Sequence, residues 1–351
     1  MKSLRQDQRG FTLIELMAGL IITVVAVAAG YTVMTSSVKA SSVNDQANQM
    51  QQNARIAMDL LSRDIKMAGF GMIGPVGACT VGGNAAAIVP QDANTAGADN
   101  APDSVLLVVP TMISTTTAAV GGGAGATNQL TMQAGSVAAL SGDGFNAGAL
   151  PQPISIAGTL AATVTAIAGD VLTVSSNITP PQAFPAGAQV FWLRCITYAI
   201  SNVAATCAGN APCLLRNGVA VADGIEDLQL AYGCDGCVLA VNGGVADGIV
   251  DDQAGGTANV FDQADFVSNS AWATAPMTPD KIALVRVSIV ARQPRADTGL
   301  GERNQRGVST AGPIVVEDHN PSTDAGYSLP VYQQTRRRLF TRTVELRNVG
   351  L

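Results

Sequence analysis

Charge is scarce in this sequence, and positive charge is missing from most of its first half. Charged residues make up 13% of the chain and aromatic residues 4%; soluble domains ordinarily carry about 25% charge. From Met67 to Leu193 there is no Lys or Arg, and the only charges are Asp92, Asp99, Asp103, Asp143 and Asp170. With a net charge of −6 and a pI of about 4.8, the chain is not a nucleic-acid binder driven by overall basicity. Histidine occurs once, at His319. No Ser/His/Asp or metal-type constellation assembles around it, and its position beside Asn320-Pro321 reads as a surface loop. There is no phosphate loop and no dinucleotide fingerprint, since no helix signal follows the Gly121–Gly123 run. Only one apolar run approaches membrane-spanning length, which argues against a multi-span protein. The 47% hydrophobic content and mean hydropathy of +0.26 exclude a highly charged disordered chain.

That apolar run lies at the start. Residues 1–10, MKSLRQDQRG, carry Lys2, Arg5 and Arg9 against Asp7. The stretch from Phe11 to Met34 follows, long enough as a helix, at about 36 Å, to cross a hydrocarbon core of about 30 Å. The basic leader predicts a cytoplasmic N-terminus. No A-x-A-like cleavage site closes the run, unlike a secretory signal. One residue interrupts it: Glu15, a carboxylate where charge costs a few kcal/mol or more. It reads either as a charge near enough to the interface to snorkel or as one half of an intramembrane pair.

Beyond Met34 the chain turns polar yet keeps a helical period. Val43, Ala47, Met50, Ala54, Ala57, Leu61, Ile65 and Ala68 recur in steps of three and four, with Asn44, Asp45, Gln49, Gln52, Arg55, Asp59, Arg63 and Lys66 opposite. No proline occurs before Pro75, and Gly69-Phe70-Gly71 is a stop signal. One helix over 11–68 is expected. A transmembrane helix followed by a separate coiled-coil stalk would show the same pattern.

Arg9-Gly10-Phe11-Thr12-Leu13-Ile14-Glu15 resembles the class III signal of type IV pilins and type II secretion pseudopilins. The resemblance implies cleavage between Gly10 and Phe11 by a prepilin peptidase and N-methylation of Phe11. For Glu15 it implies a partner, the α-amino group of a neighbouring subunit's first residue. Further blocks are similar to PilW-type minor pilins. These are Leu61-Ser62-Arg63-Asp64-Ile65-Lys66-Met67-Ala68-Gly69-Phe70, Asp223–Gly233 (DGIEDLQLAYG), Ile282–Arg292 and Arg337–Asn348; residues 80–185 match weakly. The family implies an α+β, pilin-like fold in three parts: a leader at 1–10, a membrane and spine helix at 11–68, and a β-rich exported head at 69–351. It implies a structural minor pilin and not an enzyme, primed or incorporated with other minor pilins and the major pilin by the inner-membrane assembly machinery. The head would lie in the periplasm before assembly and on the pilus or cell surface afterwards. No cofactor and no nucleic-acid partner is expected. A minor pseudopilin of type II secretion is the alternative.

In the head, strands are expected at Ser104–Val109, Gln129–Gln133, Ala162–Ile167, Val171–Ser175, Gln189–Arg194, Thr197–Ser201, Asp227–Tyr232 and Lys281–Arg292. Lys281–Arg292 is long enough for a central strand, and Ala168-Gly169-Asp170 reads as a tight turn. The low-complexity stretches at 82–102 and 115–129 read as surface loops or insertions. The run from Arg336 to Arg338 is either an anion patch or the basic end of a terminal strand, and the alternation after it favours the strand.

The six cysteines all follow the membrane segment. An even count on the exported side favours disulfides, and six cysteines allow about fifteen pairings. Cys207–Cys213 and Cys234–Cys237 are expected as local pairs, leaving Cys79–Cys195 to pin the helix exit to the sheet. Cys234-Asp235-Gly236-Cys237 also fits C-x-x-C, but lacks the βαβ context of a redox site. Asp247, Asp251 and Asp252 could hold Ca²⁺, although their spacing is not that of an EF-hand and a solvated loop is the favoured reading.

Overall fold

The computed structural model describes residues 12–92, 99–121, 126–179, 181–209, 212–238, 242–250, 261–268, 271–296 and 312–348. Gly10, Phe11, Asp251 and Asp252 lie outside the described residues. A single helix α1, Leu13–Met67, runs unbroken for 55 residues, about 82 Å. It contains no proline, and strong helix formers dominate its second half from Gln46 onward. It ends where the sequence stops it. Gly69 and Gly71 take φ of +78° and +69°, and a Cβ on Gly71 would come within 2.1 Å of the Ser155 hydroxyl oxygen. Only glycine fits there.

Two large antiparallel sheets follow, beside two small two-stranded ribbons. The principal strands of the first are β1 (Ile88–Gln91), β2 (Ser104–Thr115), β3 (Thr127–Thr131), β4 (Gln152–Ile156), β5 (Leu160–Ala168), β6 (Val171–Ile178), β7 (Gln189–Ser201), β8 (Cys213–Arg216) and β9 (Val219–Asp223). They pair in the order β9-β8-β7-β4-β5-β6-β3, with β2 along the other side of β7 and β1 outside β2. The second sheet comprises β10 (Ile225–Cys234), β11 (Phe266–Val267), β12 (Ile282–Arg292) and β13 (Arg337–Glu345), in the order β11-β10-β12-β13. β12 is a central strand, as its length predicts. Gly169 turns at φ +61° between β5 and β6.

The lower half of α1 seats across the two sheets, against β2, β9, β10, β12 and β13. Met50, Ala54, Ala57, Met58, Leu61 and Ile65 join one core with Val105, Leu107, Tyr198, Leu228, Leu230, Val285, Val287, Ile289 and Val344. A second core lies apart from it. Leu130, Phe145, Ile154, Ile156, Val164, Leu172, Val190 and Trp192 fill the space among β3 to β7.

Three expectations need correction. The segments expected at 189–194 and 197–201 are one 13-residue strand. Its pleat continues through Cys195 and Ile196, which pair with Val108 and Leu107. The stretch 82–102 is not all surface loop, because Ile88 and Asp99 are fully buried. Nor is 115–129, where Val120 and Gly121, both buried, pair with Ala183–Phe184 and β3 begins at Thr127.

Candidate functional site: an apolar spine seated on the head

The spine has two halves with opposite surroundings. None of the most apolar stretch of α1 is buried within the chain; Leu13 is 81% exposed and Met34 67%. Burying such a surface is worth roughly 25 cal/mol per Å², so an apolar environment or further copies of a similar helix would take it up. Glu15 opens the helix. Its carboxylate Oε2 accepts from the Thr12 backbone N–H and hydroxyl, each at 2.9 Å, and the Glu15 N–H donates to the Thr12 hydroxyl oxygen at 3.3 Å. This capping box satisfies two amides that helix geometry leaves without partners. Within its own chain, Glu15 therefore starts the helix, a role that spacing alone did not reveal. The signal was present in the sequence, as Thr followed three residues later by Glu.

The lower half carries the seat. Asp64 points off the helix into the head, only 3% exposed. Its Oδ2 accepts from the Tyr198 hydroxyl on β7 at 2.6 Å and from Arg216 Nε on β8 at 2.8 Å. Burial, and then the bond to Asp64, hold the Tyr198 hydroxyl far above its usual pKa. Asn53 donates to the Asp223 carbonyl at 3.0 Å, and Arg342 reaches Asp59 at 2.7 Å. Asn348 donates to the carbonyls of Lys66 and Ala68 at the helix end, each at 3.4 Å. Helix and tail are thus tied together along the last turns of α1.

His319 is not on a surface loop. It is 2% exposed, with Nδ1 2.8 Å from Asp227 Oδ2 on β10 and Nε2 2.9 Å from Asp324 Oδ1. Burial opposes its charge, but the bonds to Asp227 and Asp324 outweigh it and raise the pKa to about 9. A doubly protonated ring serves both carboxylates as donor. Asp227 lies 92 positions away in sequence, so local context could not show the pairing. Two arginines of the terminal strand, Arg337 and Arg342, find acidic partners. Arg337 bonds Glu226 and covers the Tyr332 ring 3.5 Å from its centroid.

Disulfides join Cys79 to Cys195, Cys207 to Cys213 and Cys234 to Cys237. Cys234 and Cys237 are buried and belong to the main core, a poor position for thiol exchange with a partner. Asp247 is exposed, and its side chain closes a turn by accepting from the Ile249 N–H at 3.0 Å.

Two family models match this chain. The model described as Type IV Pilus-assembly protein W matches residues 198–348, which run from the end of β7 through the second sheet to the tail that ties α1. The Prokaryotic N-terminal methylation motif matches residues 5–31. The first describes structural pilus components and not an enzyme family. No curated protein and no solved structure matches the chain. Residues 5–31, at the start of the spine, are thus similar to a prokaryotic N-terminal methylation motif, and residues 198–348, around the seated end, to type IV pilus-assembly protein W.

Proposed function

We propose that this chain is a minor pilin, cleaved between Gly10 and Phe11 by a prepilin peptidase, N-methylated on Phe11 and built into a type IV pilus. One observation carries the reading: a continuous helix whose first half is apolar and bare while its second half is locked into a folded head. Such a subunit rests in a bilayer through the bare half and transfers that half into a bundle of like helices when the fibre grows. The head sits in the periplasm beforehand and on the pilus afterwards. Other minor pilins, the major pilin and the inner-membrane assembly machinery are its partners. Glu15 pairs with the Phe11 amine of a neighbouring subunit; inside a helix bundle an unpartnered carboxylate costs several kcal/mol, so the pair fixes register.

The test is an immunoblot of whole cells and of sheared pili. Gly10→Ala is expected to leave the protein at precursor size, and a mature-size band would refute the cleavage site. Glu15→Ala is expected to be processed normally and to be lost from the sheared fraction. Wild-type recovery of Glu15→Ala in pili would refute the pairing.

A further inference from the structure

Only five charges occur between Met67 and Leu193, all aspartates, and three of them converge. Asp92, Asp99 and Asp103 each offer a carboxylate oxygen, and these oxygens lie within 4.8 Å of one another. The fold forces this. β1 and β2 pair antiparallel with Gln91 opposite Ser104, so the next position brings Asp92 across from Asp103. Like charges directly opposed across strands are destabilising. Asp99 is drawn in by its backbone, which donates to the Asp318 carbonyl at 3.2 Å and bridges to His319.

The site is buried and incompletely satisfied. Asp99 is fully buried and Asp103 is 3% exposed. Asp103 Oδ2 accepts from the Leu230 N–H at 2.8 Å, but its Oδ1 is buried with no hydrogen-bond partner. Gln229, fully buried beside them, gives its Nε2 to Asp227 at 3.0 Å and to Asp99 at 3.5 Å; its Oε1 is likewise buried and unpartnered. No ion pair reaches Asp99 or Asp103 among the described residues. His319, bridged to Asp99 through its backbone, commits its ring to Asp227 and Asp324. A buried acceptor left without a donor costs about 1–3 kcal/mol, more when charged, and native interiors rarely retain one without a protein, water or ion partner.

We infer that Asp92, Asp99 and Asp103 form a divalent-cation site fitted to calcium, clamping the β1–β2 connection to β10. The donors are all hard oxygens. Their mutual separations lie within twice a Ca²⁺–oxygen distance of about 2.4 Å, and Ca²⁺ accepts irregular shells completed by carbonyls and water. Burial, and then repulsion from Asp92, Asp99 and Asp318, push Asp103 up to about 8 against the bond from Leu230. The inference does not depend on the pilus reading.

The experiment uses the full chain in detergent, stripped with EDTA and titrated with CaCl₂ alone. Wild type is expected to bind one Ca²⁺ per chain with a dissociation constant below about 1 mM, the weak end for extracellular calcium modules, with a rise in Tm. Asp103→Asn keeps an acceptor for Leu230 and removes the repulsion. It is expected to match or exceed wild-type Tm in EDTA and to lose calcium affinity about 100-fold or more. Asp92→Asn, at the least buried donor, is expected to lose affinity as well and serves if the Asp103 variant does not fold. Asp247→Asn is expected to bind as wild type. The inference is overturned if wild type shows no calcium-dependent Tm shift, if Asp103→Asn and Asp92→Asn keep the wild-type shift, or if Asp247→Asn abolishes it.

Discussion

Asp64→Ala isolates what holds the spine to the head. In the wild type one carboxylate oxygen takes two bonds, from a fully buried tyrosine hydroxyl and from an arginine whose side chain is 26% exposed. Removing it leaves the Tyr198 hydroxyl in the core with no acceptor, at about 1–3 kcal/mol. It also leaves Arg216 half-buried without its counter-ion. Breaking a fully buried pair costs about 3–5 kcal/mol and an exposed one about 0–1 kcal/mol; water reaches Arg216, so its share is about 1 kcal/mol and the total is about 3 kcal/mol. A head of this size shifts by about 2–4 °C for each kcal/mol, so Tm is expected to fall by roughly 6–12 °C. Differential scanning calorimetry of the full chain in detergent measures this. Arg342→Ala provides the contrast. Its bond to Asp59 spans the same seam, but both side chains are about half exposed or more, and such pairs are worth about 0–1 kcal/mol. The reasoning fails if Asp64→Ala lowers Tm no more than Arg342→Ala. It also fails if Tyr198→Phe, which removes both the hydroxyl and its need for an acceptor, costs as much as Asp64→Ala.

His319 makes stability depend on pH. Its pKa is about 9 in the fold and about 6.5 in the unfolded chain, so the folded state binds more protons between those values. Its contribution is complete below about pH 6.5 and is lost as pH rises through about 9. The Tm difference between wild type and His319→Gln is expected to shrink over that window, and a constant difference would refute the charged pairing. The disulfides are expected to differ in weight. Cys79–Cys195 closes a loop with a sequence separation of 116, and its loss as Cys79→Ser/Cys195→Ser is expected to cost about 4–5 kcal/mol by the chain-entropy model. The Cys234–Cys237 loop, with a separation of 3, is expected to cost about 2 kcal/mol by the same relation. Equal Tm losses in the two double variants would contradict that ordering.

What the sequence made legible followed from short-range repetition. Steps of three and four place Met50, Ala54, Ala57, Leu61 and Ile65 on one face, and that face is the buried one. The alternation after Arg336 marks β13, and Gly69-Phe70-Gly71 marks the helix exit. What it hid depends on pairs far apart in the chain. His319 looks like a loop residue because Asn320-Pro321 follows it, while Asp227 buries it from another strand. Asp92, Asp99 and Asp103 sit in alanine- and glycine-rich stretches whose composition suggests solvent; their burial comes from the β1–β2 register and from β10. The same cause separates Asp247, which composition flags as acidic, from Asp103, which composition does not. The first closes an exposed turn, and only the second has an unpartnered oxygen in the interior.

The two cores set how the molecule tolerates change. The matched segment 198–348, with α1, supplies most of the first core, while β3 to β6 and Trp192 on β7 fill a second. β7 belongs to both. Its Val190 and Trp192 face the second core, and its Ile196 and Tyr198 face the first. Packing defects are felt within a core because neighbouring side chains relax only partly, and sites without shared partners add independently. Leu172→Ala, fully buried in the second core, is therefore expected to cost about 2–5 kcal/mol while leaving the Asp64 coupling to Tyr198 intact. A double-mutant cycle between Leu172→Ala and Asp64→Ala should close to within about 0.5 kcal/mol. A larger coupling would mean that β7 transmits strain from one core to the other, and that the region outside the matched segment bears on how the spine is seated.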